Sequence, residues 1–190
     1  MNEQQIIVAL YRRFFSSIQI AAPRYTMRGW PWEMDLCTLT KSGYVTEFEV
    51  KVSRADFRKD AEKCATHWLG WDVAGRGSKT EKWVKHDLLA ARDERGPNRF
   101  FYAMPKGLVT LDEVPPWAGL IELEETRYGQ IYPRLITRPA PRLHSKKADE
   151  KLIQEIRRTL GYRFWHLTCA DPKKLESIPS EHESEVKSNV

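Results

Sequence analysis

The sequence predicts an α/β fold, a mixed central β-sheet flanked by helices. Three observations carry that expectation. An amphipathic helical pattern opens the chain, two alternating runs meet at Lys41-Ser42-Gly43, and apolar strand-like runs return after a basic, helix-forming stretch.

The opening helix is expected over residues 3 to 18, with Ile6, Ile7, Leu10, Phe14 and Ile18 on one stripe and Pro23 as the stop. The two alternating runs are then YTMRGWPWEMDLCTLT and YVTEFEVKV, and the Lys41-Ser42-Gly43 break reads as a hairpin turn. In the second run Val45, Phe48, Val50 and Val52 are apolar. Glu47, Glu49 and Lys51 recur at the two-residue period of a strand face.

Ser53 reads as a helix cap with Asp56 at the third helical position, and Val52 and Phe57 as the flanking staple. Phe57, Ala61, Cys64 and Trp68 continue one apolar stripe, so this helix is expected to run on past Cys64. WDVAGRGSK is a glycine-containing break. Ser78-Lys79-Thr80-Glu81 has capping-box spacing and predicts a further helix through about Arg92, with Lys82, Lys85 and His86 along one side. RFFYAMP reads as a buried strand. GLIELEE and QIYPRLIT form a strand pair around Tyr128-Gly129-Gln130, and Pro133 suggests an edge position. The expected domain spans 1–138. A Pro-rich linker and a last helix near 146 to 160 occupy 139–170, and the polar stretch 171–190 reads as a disordered tail.

Length and composition bound the function. A chain of 190 residues suits one domain with a sizeable core. No apolar run approaches the roughly 18 residues of a membrane span, and the start does not read as a signal peptide. The three cysteines form no CxxC pair, so a reducing cytoplasm is the expected setting; Cys64-Ala-Thr-His67 has CxxH spacing without a second half. A net charge of +5 permits phosphate contacts without requiring them.

Four acid-x-Lys triplets occur, and only Glu49-Val50-Lys51 lies inside an apolar strand that follows a hairpin partner with its own acid, Asp35. If the hairpin pairs through its turn, Asp35 and Glu49 meet on one edge. Hard oxygen donors of this kind, with the Val50 carbonyl, suit Mg²⁺ or Mn²⁺. Lys51 on the same face would orient a water or stabilise charge developing on a phosphate. The bland alternative is a wet sheet face with a cross-strand ion pair. Glu47, Glu33 and Glu3 are secondary acidic candidates. Ser53, Arg54, Arg58, Lys82, Lys85 and His86 are candidates for phosphate contact, and Trp30 or Trp32 for stacking on a base.

Helix, hairpin with Asp35, strand with Glu49-Val50-Lys51, then helix resembles the core pattern of the PD-(D/E)XK nuclease superfamily, which has a restriction-endonuclease-like fold. EFEVKVSRADFRKD followed by RFFYAMPKGLV and WAGLIEL resembles more closely the MmcB-like DNA-repair proteins and related phage-encoded proteins. The resemblance covers roughly residues 1 to 138. It implies a metal-dependent deoxyribonuclease acting in DNA repair or phage DNA metabolism, with Asp35 and Glu49 as metal ligands, Lys51 as the catalytic lysine, DNA as partner and no other small-molecule cofactor. Dimers are common in that superfamily, so a homodimer is compatible with it. Met34 stands where the family often has Pro. Some members have lost catalysis, so the alternative is an inactive DNA-binding or repair-scaffold module on the same fold.

Overall fold

The computed structural model describes residues 1–71 and 78–170. The chain divides into two compact units, Met1–Asp149 and Glu150–Val190. In the first, a six-stranded sheet has the order β1-β2-β3-β6-β7-β8, and β4 and β5 form a separate two-stranded ribbon. The strands are β1 (Ile18–Thr26), β2 (Glu33–Thr40), β3 (Val45–Val50), β4 (Cys64–Trp71), β5 (Ser78–Val84), β6 (Arg99–Pro105), β7 (Gly119–Glu125) and β8 (Ile131–Arg138). The helices are α1 (Glu3–Phe14), α2 (Arg54–Asp60), α3 (Lys85–Ala90) and, in the second unit, α4 (Glu150–Ala170).

The first three sheet strands form an antiparallel meander. The chain then crosses over, so that β6 runs parallel to β3 and also to β7, and β8 returns antiparallel. The mixed sheet is therefore as expected. Gly43 makes the β2–β3 turn at a φ of +85°, a conformation open to glycine at little cost.

Strand alternation sorts the two faces of the sheet. Leu36, Phe48, Val50, Phe101, Ala103, Ile121 and Leu123 form one core with Ile6, Ile7 and Leu10 of α1. Phe48 stacks on Phe101 at 5.5 Å between ring centroids. The opposite face carries Glu47 and Glu49, which pair in register with Phe100 and Tyr102 of β6. Alternation puts Val45 on that face too. Phe57 of α2 packs edge-on against Tyr102 at 5.0 Å, so α2 covers the charged face. Every residue of β3 is buried. The charged strand face is dry, which overturns the solvated alternative.

Four sequence expectations are corrected. The first helix stops at Phe14, and Pro23 lies within β1, opposite Leu36, on an edge strand where a missing N–H costs least. α2 ends at Asp60, because residues 64–71 pair with 78–84 as a ribbon. The helical spacing of Phe57, Ala61, Cys64 and Trp68 is coincidental, and the aromatic and β-branched residues of 64–71 suit a strand. Ser78 opens β5 rather than a helix, and α3 begins only at Lys85. The ribbon's two roots are tied, as the Lys85 N–H donates to the Lys63 carbonyl at 2.9 Å.

The fourth correction moves the domain boundary from 138 to 149. Leu143 N–H donates to the Asn98 carbonyl and Ala148 N–H to the Gly43 carbonyl, each at 2.9 Å, and Ala140 is in the core. The Asn98 side chain accepts from Val45 N–H at 2.7 Å and donates to the Lys146 carbonyl at 2.7 Å. A Pro-rich stretch that reads as a linker is instead strapped to the sheet.

α4 is longer than the expected last helix and exposes Tyr162, Phe164, Trp165 and Leu167. The expected disordered tail at 171–190 lies outside the described residues, as does 72–77 of the glycine-containing break. No helix among the described residues is long and apolar enough to cross a membrane.

Candidate functional site

Asp35, Glu49 and Lys51 come together. The antiparallel register pairs Leu36 with Phe48, and one further step sets Asp35 opposite Glu49. There β2 and β3 cease to pair through their backbones. The Asp35 carboxylate takes the Val50 N–H instead, at 2.7 Å. The Val50 carbonyl projects to the same side as its N–H, as in any strand. Two carboxylates and a main-chain carbonyl therefore share this edge.

Behind the edge lies a buried ion cluster. Glu49 accepts from Lys51 at 2.7 Å and from Lys63 on one oxygen, and from Lys85 at 2.7 Å on the other. Lys85 also pairs with Glu47 at 2.6 Å, and the Trp30 indole N–H donates to the second Glu47 oxygen at 3.1 Å. Asp60 lies 3.0 Å from the Lys51 ammonium and 3.1 Å from that of Lys63. Its other oxygen accepts from the Tyr102 hydroxyl at 2.6 Å and stands 2.9 Å from His86 Nε2.

Burial sets the protonation of these groups. It pushes Glu47 up to about 7, and the neighbouring Glu49 charge adds to that against the pull of Lys85. Burial, and then repulsion from Glu49, raises Asp35 to about 6. Burial works on Glu49 in the same sense, but Lys85, Lys51 and Lys63 outweigh it and hold that carboxyl below its usual range. Asp60 is also held down: the His86 hydrogen bond and three lysines overcome its burial. Burial disfavours the Lys51 and Lys85 ammonium groups, yet their carboxylate partners raise both above the usual lysine range. Lys51 is thus a fixed cation, unsuited to accept a proton.

The other sequence candidates scatter. Ser53 caps α2, its hydroxyl accepting from Asp56 N–H at 3.1 Å. Arg54 is tied to Glu113 at 2.6 Å. Arg58 and Lys82 are exposed, Lys82 on β5. Lys85 is wholly buried between Glu47 and Glu49, so it cannot touch DNA phosphate, and His86 is engaged with Asp60 and Tyr102. The expected basic stripe of Lys82, Lys85 and His86 does not form, because β5 gives way to α3 between the first residue and the other two. Glu47 is sealed by Lys85 and Trp30, and Glu33 is exposed. Glu3 pairs with Arg24 at 3.2 Å and lies near enough to raise Asp35. Trp30 and Trp32 are core residues, packed edge to face at 4.9 Å.

Sequence reasoning missed Asp60, Lys63 and the true role of Lys85. Asp60 was within reach: the Ser53 cap fixes the phase of α2, and Asp60 lies three residues from Phe57 on the same helix side. No sequence spacing points to Lys63 or Lys85, which the crossover delivers.

Among the described residues, no three His, Cys, Asp or Glu side chains stand together to hold a metal ion. Asp35 and Glu49, with the Val50 carbonyl, still form a set of hard oxygens suited to a cation that keeps several of its waters. Burial and then the Glu49 charge raise Asp35, and such a cation would relieve the repulsion between the two carboxylates.

No family model matches the chain, and no curated protein matches it. A protein of unknown function from Silicibacter pomeroyi has a similar solved structure, with a TM-score of 0.58 and 20% identity over 91% of this chain and 94% of that one. At this identity the likeness concerns the fold.

Proposed function

We propose that this protein is a divalent-metal-dependent nuclease that hydrolyses phosphodiester bonds in DNA, with Asp35, Glu49 and Lys51 at its active site. The observation that carries the reading is the register of β2 and β3, which sets Asp35 opposite Glu49 with Lys51 on the Glu49 carboxylate. The order of helix, acid-bearing hairpin, Glu-Val-Lys strand and helix agrees with the nuclease resemblance.

Asp35, Glu49 and the Val50 carbonyl would hold Mg²⁺ or Mn²⁺. When bound, such a cation polarises a phosphate and acidifies water. Lys51 stays charged between Glu49 and Asp60, so its part is to stabilise negative charge developing on the phosphate oxygens. Asp60 positions Lys51, and Tyr102 and His86 position Asp60. Arg58 and Lys82, both exposed, are the remaining candidates for contact with flanking phosphates.

A second reading has its own support. Both Glu49 oxygens are already engaged by lysines, which favours a DNA-binding module without turnover. Cleavage of labelled single-stranded, duplex, flap and junction DNA, with and without Mn²⁺, separates the two. Cutting that needs metal and is lost in Asp35→Asn and Lys51→Ala is the expected result. Salt-dependent DNA binding without cutting, unchanged by Asp35→Asn, would overturn the nuclease reading in favour of the module.

A further inference from the structure

We propose that Lys63 is a built-in competitor for the cation side of Glu49, so that a divalent metal binds by displacing the Lys63 ammonium into solvent. The inference rests on the metal-dependent reading above and adds a regulatory contact to that site.

Three lysines hold Glu49, and they are not equivalent. The Lys51 side chain is 3% exposed and that of Lys85 is 0% exposed, whereas that of Lys63 is 35% exposed. Lys51 and Lys85 cannot leave without stranding an ammonium in the interior or opening the core. Lys63 follows α2, and its backbone is pinned on both sides: its N–H donates to the Asp60 carbonyl at 3.2 Å, and its carbonyl takes the Lys85 N–H at 2.9 Å. The flexible four-carbon stem can swing the charge into water while the main chain stays put.

Lys63 also occupies the relevant atoms. It bonds the Glu49 oxygen that Lys51 shares and lies 3.1 Å from Asp60.

Charge balance favours exchange over addition. Asp35, Glu47, Glu49 and Asp60 are four carboxylates facing the three ammonium groups of Lys51, Lys63 and Lys85. A divalent cation in place of Lys63 leaves the buried cluster one positive charge lower than the same cation added beside it, whether Glu47 is ionised or protonated. Uncompensated charge in a dry site is costly, so exchange is the cheaper route.

The test is a Mn²⁺ titration of the full chain followed by electron paramagnetic resonance, comparing wild type with Lys63→Gln, Lys63→Arg, Lys59→Gln and Asp35→Asn. Lys59 is exposed on α2, four residues before Lys63, and is not among the lysines paired with Glu49, so it controls for a general loss of positive charge. Lys63→Gln is expected to bind Mn²⁺ about tenfold more tightly, the equivalent of one modest ion pair. Lys63→Arg and Lys59→Gln are expected to stay within about threefold of wild type, well inside that tenfold shift. Thermal melts in EDTA confirm that each variant is folded. Equal affinity in Lys63→Gln and wild type overturns the competition while leaving the metal site intact, provided Asp35→Asn abolishes binding. Equal tightening in Lys59→Gln also overturns it, as a field effect. Binding that survives in Asp35→Asn, or that is absent in wild type and Lys63→Gln alike, overturns the metal site and the competition together.

Discussion

Replacing Lys85 by Met removes one ammonium and leaves two buried carboxylates facing its place. The stem is similar in shape, so the change is mainly one of charge. Lys85 lies 2.6 Å from Glu47 and 2.7 Å from Glu49. At an effective dielectric of about 20, each contact is worth about 6 kcal/mol before desolvation. Met avoids the several kcal/mol of ammonium desolvation that Lys85 incurs, which offsets much of that loss. Breaking a buried pair by removing one partner costs about 3–5 kcal/mol net. Urea unfolding at pH 8, followed by tryptophan fluorescence, should show a loss of that size.

The loss should depend on pH. Glu47 sits at about 7 in the folded chain against an ordinary 4.5, and removing Lys85 moves it higher. Between those values the folded state holds a proton that the unfolded state has released. Stability therefore falls as pH rises through that window, and the Lys85→Met deficit should be smaller at pH 5.5 than at pH 8. Adding Glu47→Gln removes one orphaned carboxylate and should recover about 1–3 kcal/mol. A deficit under about 1 kcal/mol at pH 8, where a broken buried pair predicts several, would refute the reasoning. So would a deficit equal at the two pH values.

Asp35→Asn keeps an oxygen for the Val50 N–H and removes the repulsion from Glu49. Because Asp35 is raised to about 6, its ionisation lowers stability as pH rises from about 4 through 6, and the variant should be more stable at pH 8 by on the order of 2 kcal/mol in urea melts. Asn98→Ala unties Val45 and the Lys146 carbonyl, leaving buried groups unpaired. It should cost about 2–4 kcal/mol and open residues 139–149 to limited proteolysis. Gly119→Ala would set a methyl against the Phe101 ring and 2.7 Å from the Ala140 nitrogen, so a thermal melt should show a loss of at least about 1–3 kcal/mol.

Much of the fold is legible in the sequence, for identifiable reasons. β2 and β3 alternate cleanly around a glycine turn, β6 is a short apolar run, and Ser53 marks the start of α2. The segments misread are those whose local pattern fits two periods. Phe57, Ala61, Cys64 and Trp68 satisfy a helix, while the strand they partly belong to is decided by pairing with Ser78–Val84. Asp35, Glu49 and Lys51 were legible because strand parity and a hairpin register are local properties. Their solvation was not. Whether a charged strand face is wet or dry depends on what the crossover lays over it, and here that is α2, α3 and two distant lysines.

The tied roots of the β4–β5 ribbon have an evolutionary consequence. The chain leaves the cluster at Lys63 and re-enters at Lys85, and these residues are joined directly by a hydrogen bond between their backbones. The two strands of the ribbon therefore start and finish at one point. Such a segment can be lengthened, trimmed or exchanged among descendants without displacing either ammonium. A change in the ribbon away from the buried Trp83 would therefore leave the charges at its base where they are.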